Sequence, residues 1–404
     1  MINFVKSLLG LRTVSSPTCD NDRTLKWKTD VVFIEKELPR RHKNLFHKLD
    51  RNEFFEEISQ LKKNIDQLSD NQLMICLMKI IAKIKDGHTK LVINNKEKYP
   101  FEFYCFEDGV HLIKATEDYC SHIGNKLTHI NDHPIDSIMN DLKSITSSDN
   151  TQQLKYRTVQ YLCVPEVLNG LEIIDDYKTK FKFQNQEGIY YDVLVEPISK
   201  EESKIIHNSL TPISQMHHLS NLDKEYWYKY DEAEEVLYFQ YNSCTNSKEL
   251  SFKTFNTKMF EVIDKNKIQK LIVDIRYNGG GNSLVINPFF NEIKKRPHLN
   301  NNNTLFVIIG RETFSSALLN VVKFKNKTNA LLVGEPTGGK PNHFGEVMYL
   351  NLINTNLKVM YSTQYFKNIE EDFDYIEPDI LTNITSVDYL SNLDKPYLEI
   401  INSK

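Results

Sequence analysis

Residues 270–283 read KLIVDIRYNGGGNS, an apolar, β-branched run that ends in three consecutive glycines. The run suits one strand, and its continuous apolar character fits a strand buried on both faces of a parallel sheet. A helix is expected beyond the glycines, near 283–295. The same alternation surrounds this unit. VLYFQY (236–241) precedes a helix near 249–265, and TLFVIIG (304–310) precedes one from about 315. ALLVG (330–334) leads into a second glycine turn, then the strands VMYLNL (347–352) and KVMYST (358–363). Strands alternating with helices imply crossover units, an α/β class and a largely parallel sheet, with the ligand site at the carboxyl ends of its strands.

Glycine marks those ends. The chain has only 14 glycines in 404 residues, and eight of them (Gly279, Gly280, Gly281, Gly310, Gly334, Gly338, Gly339 and Gly345) lie between 279 and 345. A chain sparing with glycine elsewhere needs positive φ or close backbone approach in that window.

The rest of the chain reads differently. LSDNQLMICLMKIIAKIKDGHT (68–89) has helical spacing, with Ser69 or Asp70 as N-cap and Gly87 as a stop, within a helical region of residues 25–92. From 98 to 200 short alternating runs such as FEFYCF, VHLIKA, KFKF and YYDVLVEPI predict strands, with one helix begun near Pro134–Asp136. Residues 201–232 are polar and lack a period. The organisation expected is therefore a helical region 1–95, a strand-rich region 96–200, a linker 201–232 and an α/β region 233–404.

Composition excludes several function classes. The chain is 40% hydrophobic and 26% charged, ordinary for a globular protein and unlike a disordered one. A net charge of −4 provides no cationic surface for counterion release, against a nucleic-acid binder. No run reaches the ~20 apolar residues of a membrane span. Lys6 and Arg12 cut the apolar amino-terminal stretch too short for a signal peptide, so a cytoplasmic chain is expected. The six cysteines are scattered without a C-x-x-C pair, and no histidines or cysteines have metal-ligand spacing, so neither disulfides nor a metal is expected.

Four segments concentrate reactive residue types: DGHT (86–89), VDIRYNGGGNS (273–283), GRETFSSALL (310–319) and VGEPTGGKPNHFGE (333–346). Ser315 is expected to open a helix directly after a strand. A nucleophile there has the Ser316 N–H beside it and the helix dipole aimed at developing negative charge. The structural alternative is a helix cap made by Thr313, Ser315 or Ser316. A turn of Gly279–Gly281 brings backbone N–H groups near by; Asp274 and Arg276 read as groups that lock that turn. Gly334, Gly339 and Lys340 also fit the frame of a phosphate-binding loop, but Pro341 stands where that loop needs Ser or Thr, and Pro336 and Pro341 remove N–H donors.

In this order the four segments resemble the C-terminal-processing (tail-specific) serine peptidases, with their tricorn-like and retinoid-binding-protein-like members. The resemblance is specific over 235–385 and weak over 98–200. It implies a fold like the crotonase and Clp-protease superfamily, a serine endopeptidase acting on polypeptide, and no cofactor, and it leaves a homo-oligomer open. It implies Ser315 as nucleophile, with Gly279, Gly280 and Ser316 around the oxyanion. The base stays open between two residues. Lys340, in TGGK, has the offset of the tail-specific lysine; His88, in DGHT, matches the tricorn-like histidine. Lysine must fall from about 10.4 to ~7–8 to act as base, whereas histidine near 6.5 needs no such shift, which favours His88 and leaves Lys340 as alternative base or electrostatic clamp. The tricorn-like arrangement adds an orienting acid, for which Glu371 and Asp372 are the candidates. IGNKLTHINDHPI (123–135) faintly resembles a PDZ ligand loop, which implies grip on substrate C-termini. The rival on this fold is a non-catalytic ligand carrier or scaffold.

Overall fold

The computed structural model describes residues 13–20, 22–205 and 217–403. The amino-terminal stretch read for a signal peptide and part of the expected linker lie outside the described residues. The structure is a mixed α/β protein built around three larger sheets. The central one has six strands, in the order Tyr226–Asp231, Val236–Tyr241, Lys270–Asp274, Leu305–Ile309, Leu331–Gly334, Ile380–Leu381. Every neighbouring pair is parallel except the first, which is antiparallel.

The expected strand and helix alternation is present. Helices Phe252–Lys265, Asn287–Lys294 and Ser316–Lys327 follow the strands in turn. All five residues of Lys270–Asp274 and of Leu305–Ile309 are buried, as continuous apolar runs between two covering layers demand. Met259, Phe289, Val321 and Phe324 close one face; Tyr238, Ile272, Phe306 and Ile400 form a core on the other.

The strands after the second glycine turn do not join this sheet. His343–Leu352 and Leu357–Phe366 pair with each other and take Thr13–Ser15 and Lys90–Val92 on their outer edges. Segments read as part of the 233–404 region therefore share a sheet with the amino-terminal region, and Leu350, Val359 and Tyr361 pack into the core of helices Arg23–Arg41, Arg51–Asn64 and Asp70–Ala82. Ser69 caps the third of these helices with a reciprocal bond from Gln72, and the helix ends at Ala82, short of Gly87.

Within 96–200 a sheet in the order Phe101–Phe106, Gly109–Ala115, Lys126–Ile130, Thr179–Gln184, Tyr190–Val195 accompanies the expected helix Ile135–Ile145. Two further helices, Thr151–Thr158 and Pro165–Gly170, were not anticipated. The linker reading also needs correction, because Tyr226–Asp231 is the edge strand of the central sheet. Its alternating aromatic residues pack Tyr226 and Tyr228 against Phe255.

Candidate active site

Ser315 stands between strand Leu305–Ile309 and helix Ser316–Lys327 at φ 54° and ψ −126°, a region that a side chain occupies only under strain. It holds the N-cap position, yet its hydroxyl makes no capping bond. The helix-cap alternative for this residue is thereby removed. The hydroxyl instead meets His88 Nε2 at 3.0 Å.

His88 reaches that point from a turn just after helix Asp70–Ala82. The Asp86 carbonyl accepts the Thr89 N–H at 3.0 Å, and Asp86 Oδ1 accepts the backbone N–H of His88 at 2.8 Å. Asp86 Oδ2 accepts from Thr89 Oγ1 at 2.5 Å and lies 3.0 Å from His42 Nε2. His42 Nδ1 accepts the Asn44 N–H at 3.0 Å, so its proton sits on Nε2 and is donated to Asp86. The His88 ring stacks on Phe314, with centroids 4.3 Å apart, and faces His343 at 5.6 Å. Burial drives the His88 pKa down to about 3, Asp86 pulling the other way without overcoming it. The imidazole is thus neutral at pH 7 and has a lone pair on one ring nitrogen.

The glycine turn is fastened against the serine. Asn278 donates through Nδ2 to the Tyr241 carbonyl at 2.8 Å and accepts the Gly280 N–H at Oδ1, 2.9 Å away. Its own carbonyl accepts the Phe314 N–H at 3.1 Å. Gly280 has φ +113°, and a Cβ there would lie 2.8 Å from Ser315 Cβ. Gly281, at φ +133°, would place one 2.5 Å from the Cys244 carbonyl oxygen. Of the three oxyanion candidates, Gly280 has its N–H committed to Asn278, while those of Gly279 and Ser316 have no partner among the described hydrogen bonds. Gly279 is exposed, with nothing within 4 Å of a notional Cβ. Ser316 Oγ donates to the Gly281 carbonyl at 2.7 Å, and Thr313 Oγ1 donates to that of Ile275 at 3.0 Å.

Asp274 and Arg276 do act as a lock. Arg276 grips Asp274 and, through both terminal nitrogens, Asp394 at 2.8 and 3.0 Å. Asp394 begins the last helix, Lys395–Asn402, so a distant segment fixes the base of the glycine turn.

The other candidates make no hydrogen bond to the serine among the described residues. Lys340 Nζ bonds Asp374 Oδ1 at 3.0 Å and sits 3.7 Å from Asp372. Burial opposes its charge, but Asp374, Asp372 and Asp149 outweigh burial and hold its pKa above the ordinary lysine value. A protonated ammonium has no lone pair with which to take a proton. Asp372 faces Lys340 rather than His88, and Glu371 is exposed, its backbone carbonyl accepting from Asn342. After the TGGK turn the chain enters strand His343–Leu352, so the helix N-terminus that a phosphate loop requires is missing.

Two side chains escaped the sequence reading. Arg157 donates through Nη1 to the carbonyls of Gly87 and Ser147, at 2.7 and 2.9 Å, and lies over the Phe314 ring. Asp149 accepts the Gly87 N–H at 2.5 Å through Oδ1. A signal existed in the motif Asn150-x-x-Gln153, since Asn150 caps helix Thr151–Thr158 by accepting the Gln153 N–H.

No family model matches the chain, and no curated protein does. Solved structures do. A mutant of CPAF is similar at TM-score 0.67 and 14% identity, covering 94% of this chain and 98% of that one. Mature CPAF complexed with lactacystin is similar at TM-score 0.65 and 13% identity, over 94% and 99%. The fold is that of CPAF. The photosystem II D1 C-terminal processing protease is similar at TM-score 0.41 and 9% identity, over 88% and 93%. Among the described residues no helix is long and apolar enough to cross a membrane.

Proposed function

We propose that this protein is a serine peptidase that cleaves polypeptide through an acyl-enzyme on Ser315, with His88 as general base. The observation that carries the reading is the 3.0 Å contact between Ser315 Oγ and His88 Nε2, made by a serine in strained backbone whose hydroxyl caps nothing. His88 Nε2 takes the hydroxyl proton as Oγ attacks the scissile carbonyl. The Gly279 and Ser316 N–H groups and the dipole of helix Ser316–Lys327 stabilise the oxyanion. His88 then hands its proton to the leaving amine, and water releases the acyl group by the reverse sequence. Lys340, paired with Asp374, serves as a fixed positive charge near the site. The likeness to CPAF supports the fold, and the crotonase- and Clp-protease-like description of the catalytic region belongs to this reading, as do a peptide substrate, homo-oligomers and a cytoplasmic location.

A serine-directed fluorophosphonate tests it. The wild-type chain labels, and the Ser315→Ala chain does not. Absence of labelling in both, or equal labelling of both, refutes the reading and returns the fold to a carrier or scaffold.

A further inference from the structure

A neutral imidazole that accepts from Ser315 at Nε2 must hold its own proton at Nδ1. That atom is buried and has no hydrogen-bond partner, which is unfavourable for a polar N–H withdrawn from water. Another orphaned atom belongs to Asp149, which is bonded to the peptide that precedes His88. Asp149 is half-buried, spends Oδ1 on the Gly87 N–H, the peptide adjoining His88, and leaves Oδ2 buried and unpartnered. The remaining carboxylates around the turn are engaged or turned away. Both oxygens of Asp86 are filled by His88 N–H, Thr89 and His42. Asp372 and Asp374 face Lys340 with exposed side chains.

We propose that Asp149 is the positioning residue of this site, its free carboxylate oxygen accepting the Nδ1–H of His88 through one bridging water. The proposal rests on the peptidase reading for its role and on the two orphaned atoms for its geometry. Such a bond fixes the tautomer that leaves Nε2 free for Ser315 and supplies the negative charge that an imidazolium needs while the proton is in transit. Asp149 is itself held: its backbone N–H donates to Gln153 Oε1 at 2.8 Å, and Arg157 grips the Gly87 carbonyl. The charged and titratable groups facing the pair are Asp86, Arg157, Lys340, Lys90 and His343. Burial and the nearby Asp86 push the Asp149 pKa up to about 7, so its charge is lost as pH falls through neutrality.

Asp149→Asn separates this role from a structural one. Asn Oδ1 still accepts the Gly87 N–H, but the amide then presents a donor where His88 needs an acceptor. In the full-length chain we expect thermal unfolding close to wild type, KM for a peptide substrate little changed, and kcat lowered on the order of 10²–10⁴-fold. The acid limb of the wild-type rate profile, near 7, shifts or disappears in the variant. Unchanged kcat with an unchanged pH profile overturns the proposal. Nitrogen-15 histidine NMR on the wild-type chain is a readout independent of turnover and of how the variant folds. His88, assigned by its loss in His88→Ala, should carry its proton on Nδ1 with a strongly downfield resonance. A proton on Nε2 overturns the proposal. If the wild-type chain neither labels nor cleaves, the peptidase reading fails, and the His88–Asp149 pairing stands only if the Nδ1–H resonance moves upfield in Asp149→Asn; an unmoved resonance overturns it.

Discussion

Gly280→Ala should disable the nucleophile while leaving its side chain chemically intact. The added Cβ falls 2.8 Å from Ser315 Cβ, 3.1 Å from Ser316 N and 3.2 Å from the Phe314 carbonyl oxygen. Carbon atoms at rest approach to ~3.5–4.0 Å, so the two backbones must part by about 1 Å. Ser315 cannot yield cheaply, since it is already strained and its partner His88 is packed against Phe314. Alanine at φ +113° adds a backbone cost of about 1–3 kcal/mol. A displacement of that size at a reacting atom costs on the order of 10²-fold in rate. The assay is the second-order rate of fluorophosphonate labelling, read beside urea unfolding. Gly279→Ala is the internal control, because nothing lies within 4 Å of its Cβ and its N–H is retained. We expect Gly280→Ala to be destabilised and to label at least about 10²-fold more slowly, and Gly279→Ala to keep its stability. Equal labelling of Gly280→Ala and wild type would refute the reasoning, for it would mean that the glycine turn and the serine do not share the space described.

Further predictions follow from the same geometry. His88→Ala should abolish peptide turnover, whereas Lys340→Ala should retain a measurable part of it; the reverse pattern in initial-rate assays would transfer the base to Lys340. Asp394→Ala leaves Arg276 buried with one partner instead of two, and loss of one partner of a buried pair costs about 3–5 kcal/mol, to be read as a lowered urea midpoint. Asn278→Ala frees the Gly280 N–H and cuts the tie to Tyr241, so labelling should slow while the central sheet keeps its far-ultraviolet circular dichroism.

Local rules carried the four inner strands of the central sheet, Val236–Tyr241 to Leu331–Gly334, because each is an apolar run ended by a turn, but missed both edge strands. They also carried the Ser69 cap and the position of Ser315 at a helix start. They failed where pairing was decided at a distance. His343–Leu352 and Leu357–Phe366 look like a continuation of the α/β alternation, yet their partners are Thr13–Ser15 and Lys90–Val92. Helix Thr151–Thr158 was obscured by its polar composition, and with it went Arg157 and Asp149. The oxyanion candidates were named as a group, but which N–H is spent on Asn278 depends on where that one side chain points.

The amino-acid sequence by itself determined the elements and the residue types that chemistry requires: buried strands, glycine turns at their ends, and a serine, a histidine and a lysine with suitable neighbours. Those are consequences of side-chain size, polarity and backbone freedom over a few residues. Only the tertiary structure brings His88 Nε2 to the Ser315 hydroxyl, because the two residues are 227 positions apart and meet through packing at a distance. It decided likewise that Lys340 spends its charge on Asp374 and that Asp149 accepts the Gly87 N–H. A proton moves only between atoms within hydrogen-bond reach, and that reach is set by three-dimensional packing.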